Sequence, residues 1–281
     1  MNKRFKFIFL LSLFIILVYI VINIYKCKIE GYRSKYKLSP KLSKKDIVFS
    51  CTSYIALPNK FNELNNALSS FIKYNDLNID NIDYYVINEY SEKNVDNLIE
   101  QLKLKYPFIT FINKKSHQKG QAYSLNMVID ILKKDPIKYK YWLHWEESWF
   151  VTDPFMKDAY NIMNNNDIDQ LQFTKDWQRK IPDNRKIYKE NYYIIKKSHY
   201  EPVYKKNWKN WPLYSLRPGV DKVSKILQNG YFDTSEDKWP FIFEYDYAYK
   251  WCKLNTTKAL LDKMPVKRST MHTHTYTQIT K

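Results

Sequence analysis

Short apolar stretches alternate with helical segments through the first half of the chain, and this alternation constrains the fold more than any other feature. The stretches are Asp46–Ser53, Ile82–Ile87, Phe108–Ile112 and Tyr139–Trp149. Between the first two, apolar residues recur at helical spacing: Phe61, Leu64, Leu68, Phe71 and Ile72. Strands that alternate with helices predict an α/β fold with a doubly wound, mostly parallel sheet and crossover helices on both faces.

The last of these stretches, Tyr139–Trp149, reads YKYWLHWEESW and runs from aromatic residues directly into Glu146 and Glu147. Aromatic residues favour a strand, whereas carboxylates are costly to bury unless a cation or a hydrogen-bond donor meets them. In open α/β sheets, ligands bind at the carboxyl ends of the strands. We therefore expect a buried strand that delivers two acids into a cleft. The alternative is that the two acids only begin a surface loop.

The N-terminal region predicts a membrane anchor. Phe7–Tyr25 contains no charged residue, and as a helix it would measure roughly 28 Å, close to the thickness of a hydrocarbon core. We expect a short basic tail at residues 1–6, one transmembrane helix at residues 7–25 and a basic stem at residues 26–45. A cleaved signal peptide is the alternative, although no small-residue cleavage site follows. Lysines flank the span on both sides, so its orientation stays open.

The bulk composition limits the class of partner. The formal net charge of +17 favours an anionic partner such as nucleic acid, an acidic membrane surface or a nucleoside diphosphate. Lys and Arg are spread along the whole chain without a nucleic-acid-binding motif, so no nucleic acid is expected. Cys27, Cys51 and Cys252 are widely spaced and form neither a disulfide framework nor a zinc site.

Two residues that lie between strands and helices of the first half indicate further structural features. Ser91 is a candidate cap for the helix that carries Val95 and Leu98. Gly120 is one of only four glycines, and it stands between the third strand and a helix, where the backbone must approach a ligand or a neighbouring strand closely. An ordinary turn glycine is the alternative.

The half after Trp149 is less periodic and more aromatic. Asp153-Pro154 predicts a helix start, Leu171–Thr174 and Tyr192–Ile195 predict strands, and Val220–Leu227 predicts a helix that Gly230 closes as a C-cap.

Polar and aromatic residues of this half offer candidate ligand contacts, each with a structural alternative. Trp208 and Trp211 could stack on sugar faces, although aromatic residues fill cores more often. Glu244 and Asp246 stand at the beginning of a predicted helix, where carboxylates are common because the helix dipole favours them.

Five motifs follow one another in an order that resembles the type-A glycosyltransferases, particularly the inverting family-2-like group. They are DIVFSCTS, NEYS, KGQAYSLN, WEES and FEYDYA, and they cover about residues 46–250. Each motif is short and degenerate, so their order and spacing carry the resemblance. It implies a nucleotide-sugar-binding half at residues 46–153 and an acceptor-binding half of the same catalytic domain at residues 154–281.

The resemblance implies a nucleotide-sugar site at the ends of the strands. Its residues would be Thr52, Ser53, Tyr54, Asn88, Glu89, Ser91, Lys119, Gly120, Ala122, Ser124, Asn126, Glu146 and Glu147. The departing diphosphate needs neutralising, which Mn²⁺ or Mg²⁺ held by oxygen ligands would do. The metal ligands would come from Glu146, Glu147, Ser148, His272 and His274. Ser148 departs from the family, which has an acid there, so an altered metal shell or a loss of activity are both open.

The resemblance also implies the residues that handle the acceptor. An attacking hydroxyl needs a carboxylate to take its proton, and Glu244 or Asp246 stands where the family keeps that base. Inversion of the anomeric carbon would follow. The acceptor contacts would be Trp149, Trp208, Trp211 and Arg217.

We therefore predict a single-pass membrane protein that transfers a sugar from a nucleotide-diphosphate donor to a hydroxyl acceptor. A catalytically inactive glycosyltransferase-like binding protein is the nearest alternative. A basic, membrane-tethered nucleic-acid-binding protein would explain the charge but not the acidic pair. A metal-dependent hydrolase built on Glu146, Glu147 and the two histidines is a third alternative.

Overall fold

The computed structural model of the chain describes residues 15–20, 23, 45–77, 79–174, 183–195, 214–235 and 242–269. Residues 15–20 are helical; the rest of the predicted span Phe7–Tyr25, apart from residue 23, lies outside the described residues. In the described ranges, no helix is both long enough and apolar enough to cross a membrane.

The first half folds as the predicted alternation of strands and helices. The strands are β1 (Ile47–Ser53), β2 (Ile82–Asn88), β3 (Ile109–Asn113) and β4 (Tyr141–Glu146). The helices between them are α1 (Pro58–Tyr74), α2 (Asp96–Lys105) and α3 (Gln121–Lys134). Strand β1 is buried along its whole length, as expected of a parallel strand that is covered on both faces. The predicted cap Ser91 is wrong, because α2 begins later, after Val95, and the Ser91 hydroxyl accepts the Lys93 N–H within a turn.

In its described residues, the second half adds short strands and three helices. The strands are β5 (Trp149–Val151), β6 (Gln170–Gln172), β7 (Lys186–Tyr188), β8 (Tyr192–Ile195), β9 (Gly219–Lys222), β10 (Lys258–Leu261) and β11 (Val266–Arg268). The helices are α4 (Met156–Asn165), α5 (Val223–Asn229) and α6 (Ile242–Lys253). The predicted strands near Leu171 and Tyr192 are confirmed, and so is the C-cap: Gly230 has a φ of +82° and donates its N–H to the Ile226 carbonyl.

One element of this half differs from the prediction. Residues Val220–Lys222 belong to β9, and the helix begins only at Val223. Strand β9 lies between β4 and β6 and pairs with both, so its backbone N–H and C=O groups are satisfied by two neighbours. Sheet pairing therefore outweighs the local helical pattern at these residues.

In the described part of the chain, the main sheet has nine strands in the order β3-β2-β1-β4-β9-β6-β10-β8-β7. Strands β1 to β4 are mutually parallel, β9 and β8 run in the opposite direction, and the remaining strands run with β1. The sheet is therefore mostly parallel, as predicted. A small second sheet pairs β11 with β5.

Two apolar cores cover the two faces of the sheet, which confirms the doubly wound arrangement. One core joins residues of α1, α2 and α4 to Phe49 and Trp145. The other joins residues of α3, α5 and α6 to Val48 and Trp142. Because β1 to β4 are parallel, all four end at the same edge of the sheet, which we call the carboxyl edge.

Candidate functional site

Glu146 is the last residue of β4 and stands at the carboxyl edge with its side chain half-buried. Its Oε1 accepts a hydrogen bond from the Gln121 side chain at 2.7 Å, and its Oε2 accepts one from the Trp149 indole at 3.3 Å. A carboxylate has about four lone-pair sites, so these two bonds orient the group and leave room for a cation. Glu146 therefore lies where the sequence predicts a metal ligand.

Glu147 has a different environment, because its carboxylate faces an internal cation. Its Oε1 lies 3.3 Å from Lys60 Nζ, and Lys60 also pairs with Glu63 at 2.8 Å. The Lys60 side chain has no exposed surface. Burial raises the pKa of Glu147 to about 7, with Lys60 opposing and Glu146 adding to the shift. The structure thus places the Glu147 carboxylate in a buried ion cluster with Lys60 and Glu63, and its predicted role as a metal ligand stays a prediction.

Ser148 does not offer a ligand surface either, since it is buried at 2% exposure. Its carbonyl accepts the Ser269 N–H, which ties the turn after β4 to the end of β11. His272 and His274 lie outside the described residues. Among the described residues, no group of three or more His, Cys, Asp and Glu side chains could hold a metal ion. Glu146 as a metal ligand therefore stays a prediction.

A pocket of about 240 Å³ opens at the ends of β2 and β3. Its lining residues are Asn88, Glu89, Tyr90, Ser91, Glu92, Lys93, Asn94, Val95, Asp96, Asn113 and Lys114. The Glu89 carboxylate is fixed here by three donors: the Lys114 ammonium at 2.8 Å, the Gly120 N–H at 3.1 Å and the Tyr90 N–H at 3.2 Å. The predicted contacts Glu89 and Ser91 therefore share one cavity.

The residues at the end of β1 shape this edge through their backbone. The Ser53 carbonyl accepts the Glu89 N–H at 2.7 Å, and the Thr52 carbonyl accepts the Glu147 N–H at 3.2 Å. Both side chains are buried, whereas Tyr54 is half-buried. Thr52 and Ser53 thus hold the neighbouring strand ends in place, and of the three predicted contacts Tyr54 has the most accessible side chain.

Several predicted ligand contacts are instead used inside the protein. Asn88 accepts the Ile55 N–H and donates to Asn113. Asn126 forms two hydrogen bonds with the backbone of Phe232. These two amides tie loops to the sheet and to α3, Asn88 also lines the pocket, and the assignment of both residues to the nucleotide stays a prediction.

The turn that precedes α3 combines a glycine at positive φ with exposed groups. Gly120 has a φ of +92°, a backbone conformation that L side chains rarely adopt. It is exposed, as is Lys119, whose ammonium lies 5.7 Å from the centroid of the Tyr90 ring. Ala122 and Ser124, one turn further on, are buried. The start of α3 therefore presents the Gly120 backbone and Lys119 to solvent at the carboxyl edge.

Glu244 reaches the same edge from the other half of the chain. It lies in the first turn of α6, and its Oε1 accepts the Leu216 N–H at 2.9 Å. Leu216 leads into β9, which pairs with β4 so that Gly219 lies opposite His144. Glu244 therefore bonds to the segment before β9, at the edge where β4 ends with Glu146.

Asp246 is two positions after Glu244 in α6, and two positions correspond to a rotation of about 200° around a helix. Tyr247, Ala248 and Trp251 of α6 are buried in the core of that face of the sheet. Glu244 lies three and four residues before Tyr247 and Ala248, so it shares their inward face. Asp246 therefore points to another side of α6 than Glu244, and the two acids do not converge.

The predicted acceptor contacts are only partly described. Trp208 and Trp211 lie outside the described residues, and Arg217 is half-buried. Trp149 is 9% exposed, and the Arg268 guanidinium lies 5.6 Å from its ring centroid. Its ring packs in the core and its indole N–H orients Glu146, so Trp149 supports the carboxyl edge and offers little surface for stacking.

Three residues of this edge were missed by the sequence analysis: Lys60, Lys114 and Gln121. Lys60 precedes Leu64 and Leu68 by four and eight residues, a spacing that puts a charge on the apolar face of α1. Lys114 follows an apolar strand directly. Both signals were available, because a buried lysine on an apolar face requires an acidic partner. Gln121 carried no comparable signal.

No family model matches the sequence, and no curated protein sequence matches it. Solved structures do match: S. aureus TarS 1–349 in complex with UDP has a TM-score of 0.54 at 14% identity, over 80% of this chain and 60% of that chain. GalNAc-T7 with UDP, GalNAc and Mn²⁺ has a TM-score of 0.56 at 10% identity, over 82% of this chain and 45% of that chain.

This chain therefore spans 60% or less of each of these two structures. Identities of 10% and 14% concern the fold alone. At that level, the resemblance to type-A glycosyltransferases that the motif order predicted is confirmed.

Proposed function

We propose that the chain is a glycosyltransferase that moves a sugar from a nucleoside diphosphate to a hydroxyl acceptor. One observation carries the proposal: Glu146 ends β4, and Glu244 bonds to the segment before β9, which pairs with β4 and begins at the same edge. The Glu89 pocket opens at the ends of the neighbouring strands. In open α/β sheets, this edge is where ligands bind.

The nucleoside end of the donor fits the Glu89 pocket, where Ser91 adds a hydroxyl. The phosphates would then lie towards the start of α3, because the N-terminus of a helix favours anions. Lys119 is exposed beside that turn and would add a positive charge. The matching TarS and GalNAc-T7 structures contain UDP, which supports a nucleoside diphosphate as the donor's leaving group.

A divalent cation fits Glu146 in this site. Glu146 would hold it alone among the described carboxylates, since Glu147 pairs with Lys60, and Mg²⁺ is commonly held by one or two carboxylates together with substrate phosphates. The matching GalNAc-T7 structure contains Mn²⁺. When bound, such a cation would neutralise the charge that develops on the departing diphosphate. Gln121 and Trp149 orient the Glu146 carboxylate for this role.

Glu244 is our candidate for the base that takes the proton of the acceptor hydroxyl. The Leu216 N–H fixes one of its oxygens at 2.9 Å, and α6 keeps its side chain on the inward face. A base on one side and a diphosphate on the other would give a single displacement with inversion at the anomeric carbon. Arg217, between Leu216 and β9, would contact the acceptor.

The membrane anchor at residues 7–25 is part of the proposal. Residues 15–20 are helical, and all six are apolar side chains that are 41% to 68% exposed. An apolar helix surface of this kind suits lipid. The single-pass anchor would tether the catalytic domain through the basic stem at residues 26–45.

The test is donor turnover by the full-length chain purified in mild detergent. UDP- and GDP-sugars would be offered with and without Mn²⁺ together with a panel of glycan and lipid hydroxyl acceptors, and release of the nucleoside diphosphate and labelled product would be measured. Glu244→Gln should lower turnover by a factor of about 10² to 10⁴ with donor KM nearly unchanged. Asp246→Asn, on another side of α6, should retain most of the activity.

Two other results would point to different functions. Nucleotide binding without turnover of any donor would favour an inactive glycosyltransferase-like protein. Steeply salt-dependent binding of arbitrary nucleic acid, with no nucleotide binding, would favour the nucleic-acid alternative.

A further inference from the structure

Lys114 is a buried lysine that the proposed chemistry does not use. It follows β3 directly and is 4% exposed. Its ammonium lies 2.8 Å from Glu89 Oε2, 2.7 Å from the Gly120 carbonyl oxygen and 3.1 Å from Ser124 Oγ. An ammonium has three N–H donors, so each donor has an acceptor at hydrogen-bonding distance.

The three acceptors belong to different parts of the carboxyl edge. Glu89 lies in the nucleoside pocket at the end of β2, whereas Gly120 and Ser124 form the turn and first turn of α3. Gly120 also donates its N–H to the same Glu89 oxygen at 3.1 Å. The next residue, Gln121, holds Glu146. One side chain thus connects the pocket on β2 to the helix start that orients the acid on β4.

The alternative is a purely structural ion pair, which is the common role of a buried lysine and carboxylate. Two observations point beyond that role. Lys114 is itself a lining residue of the pocket, and the Glu89 carboxylate that it fixes has both oxygens engaged by the protein. Burial lowers the pKa of Lys114, and Glu89 opposes the shift.

We propose that Lys114 is a positioning residue for the nucleotide, which holds Glu89 and the start of α3 in one geometry so that the nucleoside and diphosphate ends of the site are assembled together. This inference rests on the proposed function. It assigns no direct chemistry to Lys114, because the residue acts through Glu89 and through Gly120.

The experiment measures the Kd of UMP and of UDP with Mn²⁺ by calorimetry on the full-length chain, at a temperature well below every variant's Tm. Lys114→Met should weaken both nucleotides about ten-fold or more, because the nucleoside contact itself is displaced. Glu146→Gln should weaken only UDP with Mn²⁺. Lys134→Met, an exposed lysine at the end of α3, is the matched control and should leave both Kd values unchanged.

A folded Lys114→Met variant that binds UMP and UDP with the wild-type Kd overturns the inference, even if its Tm falls, because a structural role alone moves only the Tm. Should Lys114→Met fail to fold, Lys114→Arg decides. The planar guanidinium keeps the charge but not the three-way contact, so a three- to ten-fold weaker Kd is expected, and an unchanged Kd overturns the inference.

Failure of the proposed function is distinguishable from failure of this inference. A wild-type chain that binds both nucleotides but turns over no donor contradicts the enzyme and leaves the Lys114 comparison decisive. A wild-type chain that binds neither UMP and UDP nor the corresponding guanosine nucleotides overturns both.

Discussion

Removal of the Lys60 ammonium should destabilise the protein strongly, since the ion cluster around it is internal. Lys60 lies 2.8 Å from Glu63 and 3.3 Å from Glu147, and the exposed fractions of the three side chains are 0%, 2% and 12%. Lys60→Met has a similar length but no charge, so it would leave two carboxylates without their cation. Breaking a buried ion pair by removing one partner costs about 3–5 kcal/mol.

This cost should appear as a large fall in Tm. For a domain of 150 to 250 residues, each kcal/mol shifts Tm by about 2–4 °C, so we expect a loss of roughly 6 to 20 °C by circular dichroism or calorimetry. Lys103→Met is the control, because Lys103 forms a surface pair with Glu100 and is 47% exposed. Exposed pairs of this kind contribute at most about 1 kcal/mol.

The Tm effect of Lys60→Met should also depend on pH, because Glu147 is titratable. The pKa of Glu147 in the folded protein is about 7, above the ordinary value of 4.5. For an acid with a raised pKa, ionisation weakens the folded state as pH rises from the unfolded pKa to the folded one. Lys60 opposes this rise, so its removal should raise the pKa of Glu147 further. The Tm gap between wild type and Lys60→Met should therefore widen from pH 5 to pH 8.

Two results would refute this reasoning. A Tm loss no larger than that of Lys103→Met would mean that the carboxylates find other partners or are solvated. A large Tm loss that is the same at pH 5 and pH 8 would mean that packing of the lysine stem, and not its charge, stabilises the cluster.

The remaining predictions concern Asp221 and two glycines. Burial raises the pKa of Asp221 to about 8, above the ordinary 3.8; its ionisation therefore costs stability as pH rises through that range, and Asp221→Asn should gain on wild type by a few kcal/mol between pH 4 and pH 8 in urea unfolding. A flat difference would contradict this. Gly219→Ala would put Cβ 2.9 Å from the Leu171 carbonyl oxygen and should cost about 1–3 kcal/mol. In Gly120→Ala the added Cβ meets nothing within 4 Å, but the residue keeps a φ of +92°, so a loss of about 1 kcal/mol in the free energy of unfolding is expected. A lower urea midpoint for Gly120→Ala than for Gly219→Ala would contradict both predictions.

Much of the fold could be predicted because its signals are local. Strands β1 to β4 are apolar runs separated by helices with a clear apolar face, and each was predicted within a few residues. Strand β9 could not be, because its four residues continue into a helix without a break in the pattern. What makes it a strand is the pair of neighbours, β4 and β6, that flank it in the sheet. Because β4 and β6 are far from β9 in the sequence, the four residues of β9 alone do not indicate a strand.

The acidic residues of the candidate site could be predicted from the sequence, whereas the residues that bond to them could not. The end of β4 was expected to deliver Glu146 and Glu147 together. In the structure, Glu146 faces the edge with Gln121 and Trp149 as donors, whereas Glu147 pairs with Lys60. Strand β4 ends at Glu146, and Glu147 begins the turn that follows. The direction of the Glu147 side chain therefore depends on that turn and on Lys60 of α1, and neither could be read from the apolar run that predicts β4.

The net charge shows why the ligand of the protein is harder to infer from the sequence than the acidic residues of its site. A formal charge of +17 favours an anionic ligand, yet Lys60 and Lys114 are buried and face Glu147 and Glu89 within the protein. Both lysines neutralise acids at the carboxyl edge, where an uncompensated carboxylate would repel a diphosphate. The positive charge of the chain therefore has two effects. It favours an anionic ligand, and it neutralises the acids at the strand ends so that a diphosphate can bind beside them. If this is correct, removing either lysine should weaken nucleotide binding more than removing any exposed lysine of the same edge, whatever the donor sugar is.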